Sequence, residues 1–149
     1  QDKKNILTHA DLDDHVIFIS MKLLMEKFPN LIVQPPSLLQ NKGFHYCPYD
    51  TLQIVHNGRH HWVLLSSDSG LVKVYDSLQM KTSDLLKEQM KQLFSPDRGM
   101  PPYEIMNCQI QEGSTDCGLF AIANAVEIAE GNDPVQVLFD QTMMRVWNY

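Results

Sequence analysis

The chain has little cysteine, no excess of basic charge, no long apolar run and no repeat or low-complexity tract, and each shortage excludes something. Three cysteines in 149 residues, Cys47, Cys108 and Cys117, are an odd number in a chain too large to need covalent staples. Free thiols in a reducing compartment are therefore expected, not a disulfide framework. Lys and Arg number 12 against 18 Asp and Glu, a formal net charge of -6, which leaves no electrostatic footprint for nucleic acid and suits a basic partner surface better. No apolar stretch nears the roughly 20 residues of a membrane span, and the opening QDKKNILTHADLDDH is too polar for a signal peptide. The expectation is an intracellular monomer, cytoplasmic or nuclear, without membrane or nucleic-acid contacts. Because it opens on Gln1 without an initiator methionine, residues 1–149 are read as one domain cut from a longer protein.

What is present is ordinary globular material. Hydrophobic residues at 44% and charged residues at 20% give no disorder signature, and a chain of this length buries about 68–70% of its unfolded surface. Leu12, Val16, Ile19, Leu23 and Leu24 recur at helical spacing, so residues 12–28 read as an amphipathic helix stopped at Pro29-Asn30. Residues 30–50, with Pro35, Pro36, Gly43 and Pro48, read as irregular loop, and Thr51 to His56 as strand. His61 to Ser66 and Leu71 to Asp76 read as paired strands around Ser67-Asp68-Ser69-Gly70, a four-residue hairpin loop. Thr82 to Phe94 places Leu86, Met90 and Leu93 on one helical face, and Tyr103 to Gln111 reads as a further strand. Trp147 and Tyr149 are expected to pack a C-terminal helix.

The hairpin makes a sharp expectation. With a loop of Ser67 to Gly70, paired residue numbers sum to 137, so His61 lies opposite Asp76 at the rim of a face shared with Val63, Leu65, Val72 and Val74. A three-residue loop would send the two side chains to opposite faces.

Cys117 stands where the polar turn QEGSTD meets an apolar run, Gly118 to Glu130, that reads as a buried helix with Thr115 or Asp116 as N-cap and Gly131-Asn132-Asp133-Pro134 as its stop. The first turn of a helix, with unpaired N–H groups and the positive end of the dipole, suits a thiolate, and a neighbouring imidazolium suits it further. Taken alone, a cysteine is more often a small buried hydrophobe. His61 and Asp76 change that balance, because a nucleophile, a base and a carboxylate that orients the base are the parts of an acyl-transfer site.

His61-Trp62 opening a strand, Tyr75-Asp76-Ser77 closing the next, and Gln111 followed by Asp116-Cys117-Gly118 resemble the ubiquitin-like-protein-specific cysteine proteases, the SUMO or sentrin protease group of the adenovirus-protease-like clan. Weaker similarity runs from Leu12-Asp13-Asp14 to Gln141 and Arg145. The resemblance implies an α+β fold, a papain-like cysteine protease core of the SUMO/adenovirus protease type whose central helix bears the nucleophile and packs on a mixed sheet. It implies a His61, Asp76, Cys117 triad with Gln111 in the oxyanion hole, and no cofactor. The implied activity is that of a thiol isopeptidase or peptidase cleaving after the C-terminal Gly-Gly of ubiquitin or a ubiquitin-like modifier. Trp62, Asp11 and Gly118 are the expected tail-binding residues.

The chain also departs from that pattern. Where the family commonly carries Trp-Leu-Asn-Asp, this chain has Asp11-Leu12-Asp13-Asp14, so one aromatic wall around the Gly-Gly tail is missing and Trp62 supplies the other. An Asp11 carboxylate in the tail channel would favour an arginine-bearing tail, such as ubiquitin's Arg-Leu-Arg-Gly-Gly, over the uncharged tail of SUMO. Alternatively these aspartates only complement the N-terminus of the first helix. Net charge and the missing tryptophan tip the expectation slightly toward ubiquitin. His45, Cys47, His56, His60 and Cys108 lack the spacing of a zinc motif, so no metal is expected. Two other functions stay open: an acetyltransferase of the wider clan, and a catalytically silent modifier-binding domain.

Overall fold

The computed structural model describes residues 13–36 and 43–147, the side chains of 145–147 excepted. Helix α1 (Asp14–Lys27) precedes strands β1 (Leu52–His56), β2 (Trp62–Asp68) and β3 (Leu71–Tyr75), then α2 (Asp84–Phe94), β4 (Tyr103–Ile105), α3 (Cys117–Ala129), a 3-10 turn (Pro134–Gln136) and α4 (Gln141–Trp147). The strands form one sheet in the order β1-β2-β3-β4, antiparallel except that β4 runs parallel to β3. This is the mixed α+β arrangement that the sequence implies.

Strand β2, WVLLSSD, is buried over its first five residues, so both sides of the sheet are covered. On one side Val55, Val63, Leu65, Val72 and Val74 meet Leu86, Met90 and Leu93 of α2. On the other, Leu52, Ile54, Trp62, Leu64 and Tyr75 meet α1 and α3 through Ile17, Met21, Leu119 and Phe120. Burying each such large side chain contributes about 1.5–3 kcal/mol. Both outer helices have a built start: the Asp13 carboxylate accepts the Val16 N–H at 2.9 Å, and the Ser83 hydroxyl accepts the Leu86 N–H at 3.0 Å. Helix α3 ends in a Schellman turn, with Asn132 N–H bonded to Glu127 O, Gly131 N–H to Ile128 O, and Gly131 at φ +86°.

Three expectations need correction. The β2–β3 loop is Ser69-Gly70 alone, both at positive φ, and the pairing Leu65↔Val74 and Asp68↔Leu71 sums to 139, not 137. His61 therefore sits diagonal to Asp76, not opposite it; the slip is two residues, so parity, and with it the shared side, survives. On α1 the buried stripe is Ile17, Met21 and Leu24, while Ile19 and Leu23 are exposed. The strand expected over Tyr103 to Gln111 is only Tyr103–Ile105. Asp116 holds the N-cap position of α3 as expected, without a side-chain cap bond. Tyr149 and Leu12 lie outside the described residues, as does the Trp147 side chain.

Candidate active site

Strand ends and one helix start bring the chemistry together. Between β1 and β2 the chain turns through Gly58 and His60, both at positive φ, closed by the Asn57 N–H on His61 O at 2.9 Å. That turn leaves His60 exposed and delivers His61, 1% exposed, immediately before β2. The discrimination between the two histidines thus comes from the turn and not from strand alternation. Asp76, immediately after β3, places Oδ1 against His61 Nε2. The same carboxylate accepts the Leu78 N–H at 2.8 Å and the Met80 N–H at 3.1 Å, so its orientation is set by backbone.

With Nε2 committed to Asp76, the other ring nitrogen is the one available for chemistry. His61 Nδ1 is buried and makes no hydrogen bond in this resting geometry, yet Cys117 lies close enough to bias its protonation. Burial alone would lower the imidazole pKa; the bond to Asp76 and then the interactions with Cys117 outweigh it and raise the value to about 9. The ring is therefore an imidazolium at neutral pH. Cys117, 1% exposed, opens α3, and its Sγ accepts the Trp62 backbone N–H at 3.4 Å.

Gln111 is fixed from three directions. Its backbone N–H donates to Ser77 O at 2.8 Å, the Ser77 hydroxyl donates to its Oε1, and Nε2 donates to Gly113 O at 3.2 Å. Since Oε1 is held by a hydroxyl, the amide is oriented, and Nε2 keeps a second hydrogen for another acceptor. Gln141 staples the segment leading into α3: it bonds Glu112 N–H and O, both at 2.8 Å, and Asp116 Oδ2 at 2.7 Å. Sequence reasoning gave Ser77 and Gln141 no role. Their signal was their presence in the matching motifs.

The tail-binding expectations divide. Gly118 is buried in the first turn of α3, and Trp62 is 3% exposed with its ring edge-on to His56 at 5.0 Å. Asp11 lies outside the described residues. Asp13 is spent on its helix cap and Asp14 pairs with His15 at 3.3 Å, which favours the helix-complementing reading for these two. Among the described residues, Asp13, Asp14 and His15 are the one group close enough to share a metal ion, and acidic side chains at a helix start do not by themselves make a site.

Comparison with known proteins bears on family and fold. The model of the Ulp1 protease family, C-terminal catalytic domain, matches residues 50–149. The C-terminal Ulp1 protease domain, solved in complex with Smt3, the yeast ortholog of SUMO, superposes with a TM-score of 0.74 at 15% identity, over 99% of this chain and 78% of that one. The Xanthomonas campestris effector XopD, solved bound to ubiquitin, gives 0.65 at 14% identity over 93% and 90%. The Chaetomium thermophilum Ulp1-like SUMO protease catalytic domain gives 0.60 at 17% identity over 93% and 69%. At such identities the likeness carries the fold. No curated protein matches the sequence.

Proposed function

Since the chain belongs to the Ulp1 protease family and is a cysteine protease, we propose that it cleaves after the C-terminal Gly-Gly of ubiquitin or a ubiquitin-like modifier, with Cys117 as nucleophile, His61 as general acid and base, and Asp76 orienting His61. The observation that carries this reading is the buried His61–Asp76 pair beside Cys117 at the start of α3. In the first half-reaction the Cys117 sulfur, as thiolate, bonds to the glycine carbonyl carbon, and the C–N bond to the leaving amine breaks. The His61 imidazolium gives that amine its proton. The oxyanion is received by the free hydrogen of Gln111 Nε2 and the Cys117 backbone N–H. Neutral His61 then takes a proton from water, whose oxygen displaces sulfur from the thioester.

Between modifiers, ubiquitin is slightly favoured over SUMO, on the net charge of -6 and the aspartate where an aromatic wall is usual. Relatives of this fold have been solved with both Smt3 and ubiquitin, so the scaffold accommodates either. The test is intact mass after mixing the protein with ubiquitin and SUMO carrying C-terminal electrophiles. A covalent adduct with one modifier, lost in Cys117→Ala, is the expected outcome. No adduct with either sinks the modifier reading and returns acyl transfer or silent binding to the lead.

A further inference from the structure

Helices α1, α2 and α3 all begin on a residue suited to N-capping, but the third is built differently. Asp13 and Ser83 are extended, at ψ 170° and 162°, and each side chain accepts an N–H of its own helix. That is the usual N-cap geometry. Asp116, at the start of α3, has ψ 13° and makes no side-chain bond to the helix. Its Oδ2 instead accepts a hydrogen from Gln141 Nε2 at 2.7 Å. A carboxylate suited to the first turn of α3 is thus turned away from it.

Gln141 commits its whole amide to this part of the chain. Its Oε1 accepts the Glu112 N–H at 2.8 Å, and the two hydrogens of Nε2 go to Glu112 O at 2.8 Å and to Asp116 Oδ2. One side chain therefore ties both ends of the turn between Gln111 and Cys117. A second clamp lies beside it: Gln109 Oε1 accepts the Phe139 N–H at 2.6 Å, and its Nε2 donates to Phe139 O at 3.1 Å. Residues 107–111 and 137–140 have no regular secondary structure, so these amides take the place of a ladder. Of the two clamps, the one at Gln141 is bonded to Asp116.

In the proposed reaction negative charge sits first on the Cys117 sulfur and then on the oxyanion received by the Cys117 N–H. The start of α3 favours both charges. Asp116 is 6% exposed, so little water would screen its carboxylate if it swung over the same turn, and it would oppose both. We propose that Gln141 is a positioning residue, which holds the Asp116 carboxylate off the start of α3 and keeps that helix end open to the charge of the sulfur and the oxyanion. This rests on Cys117 being the nucleophile, but not on which modifier is cut.

The test needs no modifier: it is the rate at which iodoacetamide alkylates Cys117 at neutral pH, followed by mass spectrometry of the Cys117 peptide. Gln141→Leu, which keeps the bulk and removes the amide, should slow alkylation about three- to tenfold. Adding Asp116→Asn, which removes the charge, should bring the rate to within about twofold of Asp116→Asn alone. Gln109→Leu cuts the neighbouring clamp and leaves the bond to Asp116, so any slowing it causes should persist when Asp116→Asn is added. Should Gln141→Leu not fold, Gln141→Glu carries the same comparison, since it keeps an acceptor for the Glu112 N–H and loses the hydrogens that bind Asp116. A wild-type Cys117 no more reactive than the buried Cys47 and Cys108 would sink the nucleophile reading and the proposal with it. With Cys117 reactive, a Gln141→Leu rate within about twofold of the wild type, or a slowed rate that Asp116→Asn does not restore, overturns the proposal alone.

Discussion

At the N-terminal end of α3 the polar groups taken out of solvent are tied to one another: Asp76 holds His61 and two backbone N–H groups, and Gln111 is bound by Ser77 and Gly113. At its C-terminal end the polar groups face water instead: the carboxylates of Asp50, Asp68 and Asp133 stand exposed around a cleft. One helix thus carries a closed, internally bonded constellation at one end and an open, solvated one at the other. A reaction needs groups already aimed before substrate arrives, because reorienting dipoles during the reaction costs barrier. A surface without that task can leave its polar groups to water. Among the described residues, the single unbonded group at the closed end is His61 Nδ1, the one that the proposed chemistry has to keep available.

The strongest way to break this contrast is to remove the oriented donor. Gln111→Ala should lower kcat about 10²–10³-fold, the usual loss for one oxyanion-hole donor. It should leave adduct formation with a C-terminal electrophile detectable, since the thiol is untouched. A kcat within about twofold of the wild type would show that Gln111 is only a loop anchor. Ser77→Ala is a finer cut. It leaves the Gln111 amide in place and bonded to Gly113 O but removes the hydroxyl that holds Oε1, a bond worth about 1 kcal/mol. A fall of about five- to tenfold in kcat with unchanged KM is expected, and restoration by Ser77→Thr would separate positioning from a folding defect. A rise in KM alone would mean that Ser77 serves binding and not Gln111.

The positions of the proposed catalytic residues His61, Asp76 and Cys117 were legible because element ends leave marks in sequence: a β-rich run starts after His61, another stops before Asp76, and a polar turn gives way to an apolar helix at Cys117. Register was less so. Ser67 and Asp68 look like turn residues, but Ser67 N–H bonds Thr51 O and both residues continue β2, leaving Ser69-Gly70 to turn alone. The shared side of His61 and Asp76 survived because the error was even. On α1, DHVIFISMKLLMEK offers more than one apolar stripe, and only the position of α3 decides that Ile17 and Met21 are inside while Ile19 and Leu23 are outside. Strand β4 pairs in parallel with β3 over Tyr103 to Ile105, a long-range pairing to which local sequence gives no length. The bonds of Ser77 and Gln141 were invisible for the same reason: their partners come from other segments of the chain.

The smallest effect expected is also the one that separates the roles of Asp76 and Cys117. Burial pulls the His61 pKa down, while the bond to Asp76 and then the interactions with Cys117 lift it from 6.5 to about 9. A folded-state value above the unfolded one means that the pairing stabilises the fold fully below about pH 6.5 and that this contribution is lost as pH rises through about 9. In the proposed reaction the same proton goes to the leaving amine, so kcat/KM should show an alkaline limb near pH 9. In Cys117→Ala the burial and Asp76 remain but the contribution of the thiol is gone, so the His61 midpoint, followed by nuclear magnetic resonance, should fall below that of the wild type. An unchanged midpoint would assign the whole elevation to Asp76 and would mean that, in the resting enzyme, the sulfur and the ring are not an interacting pair.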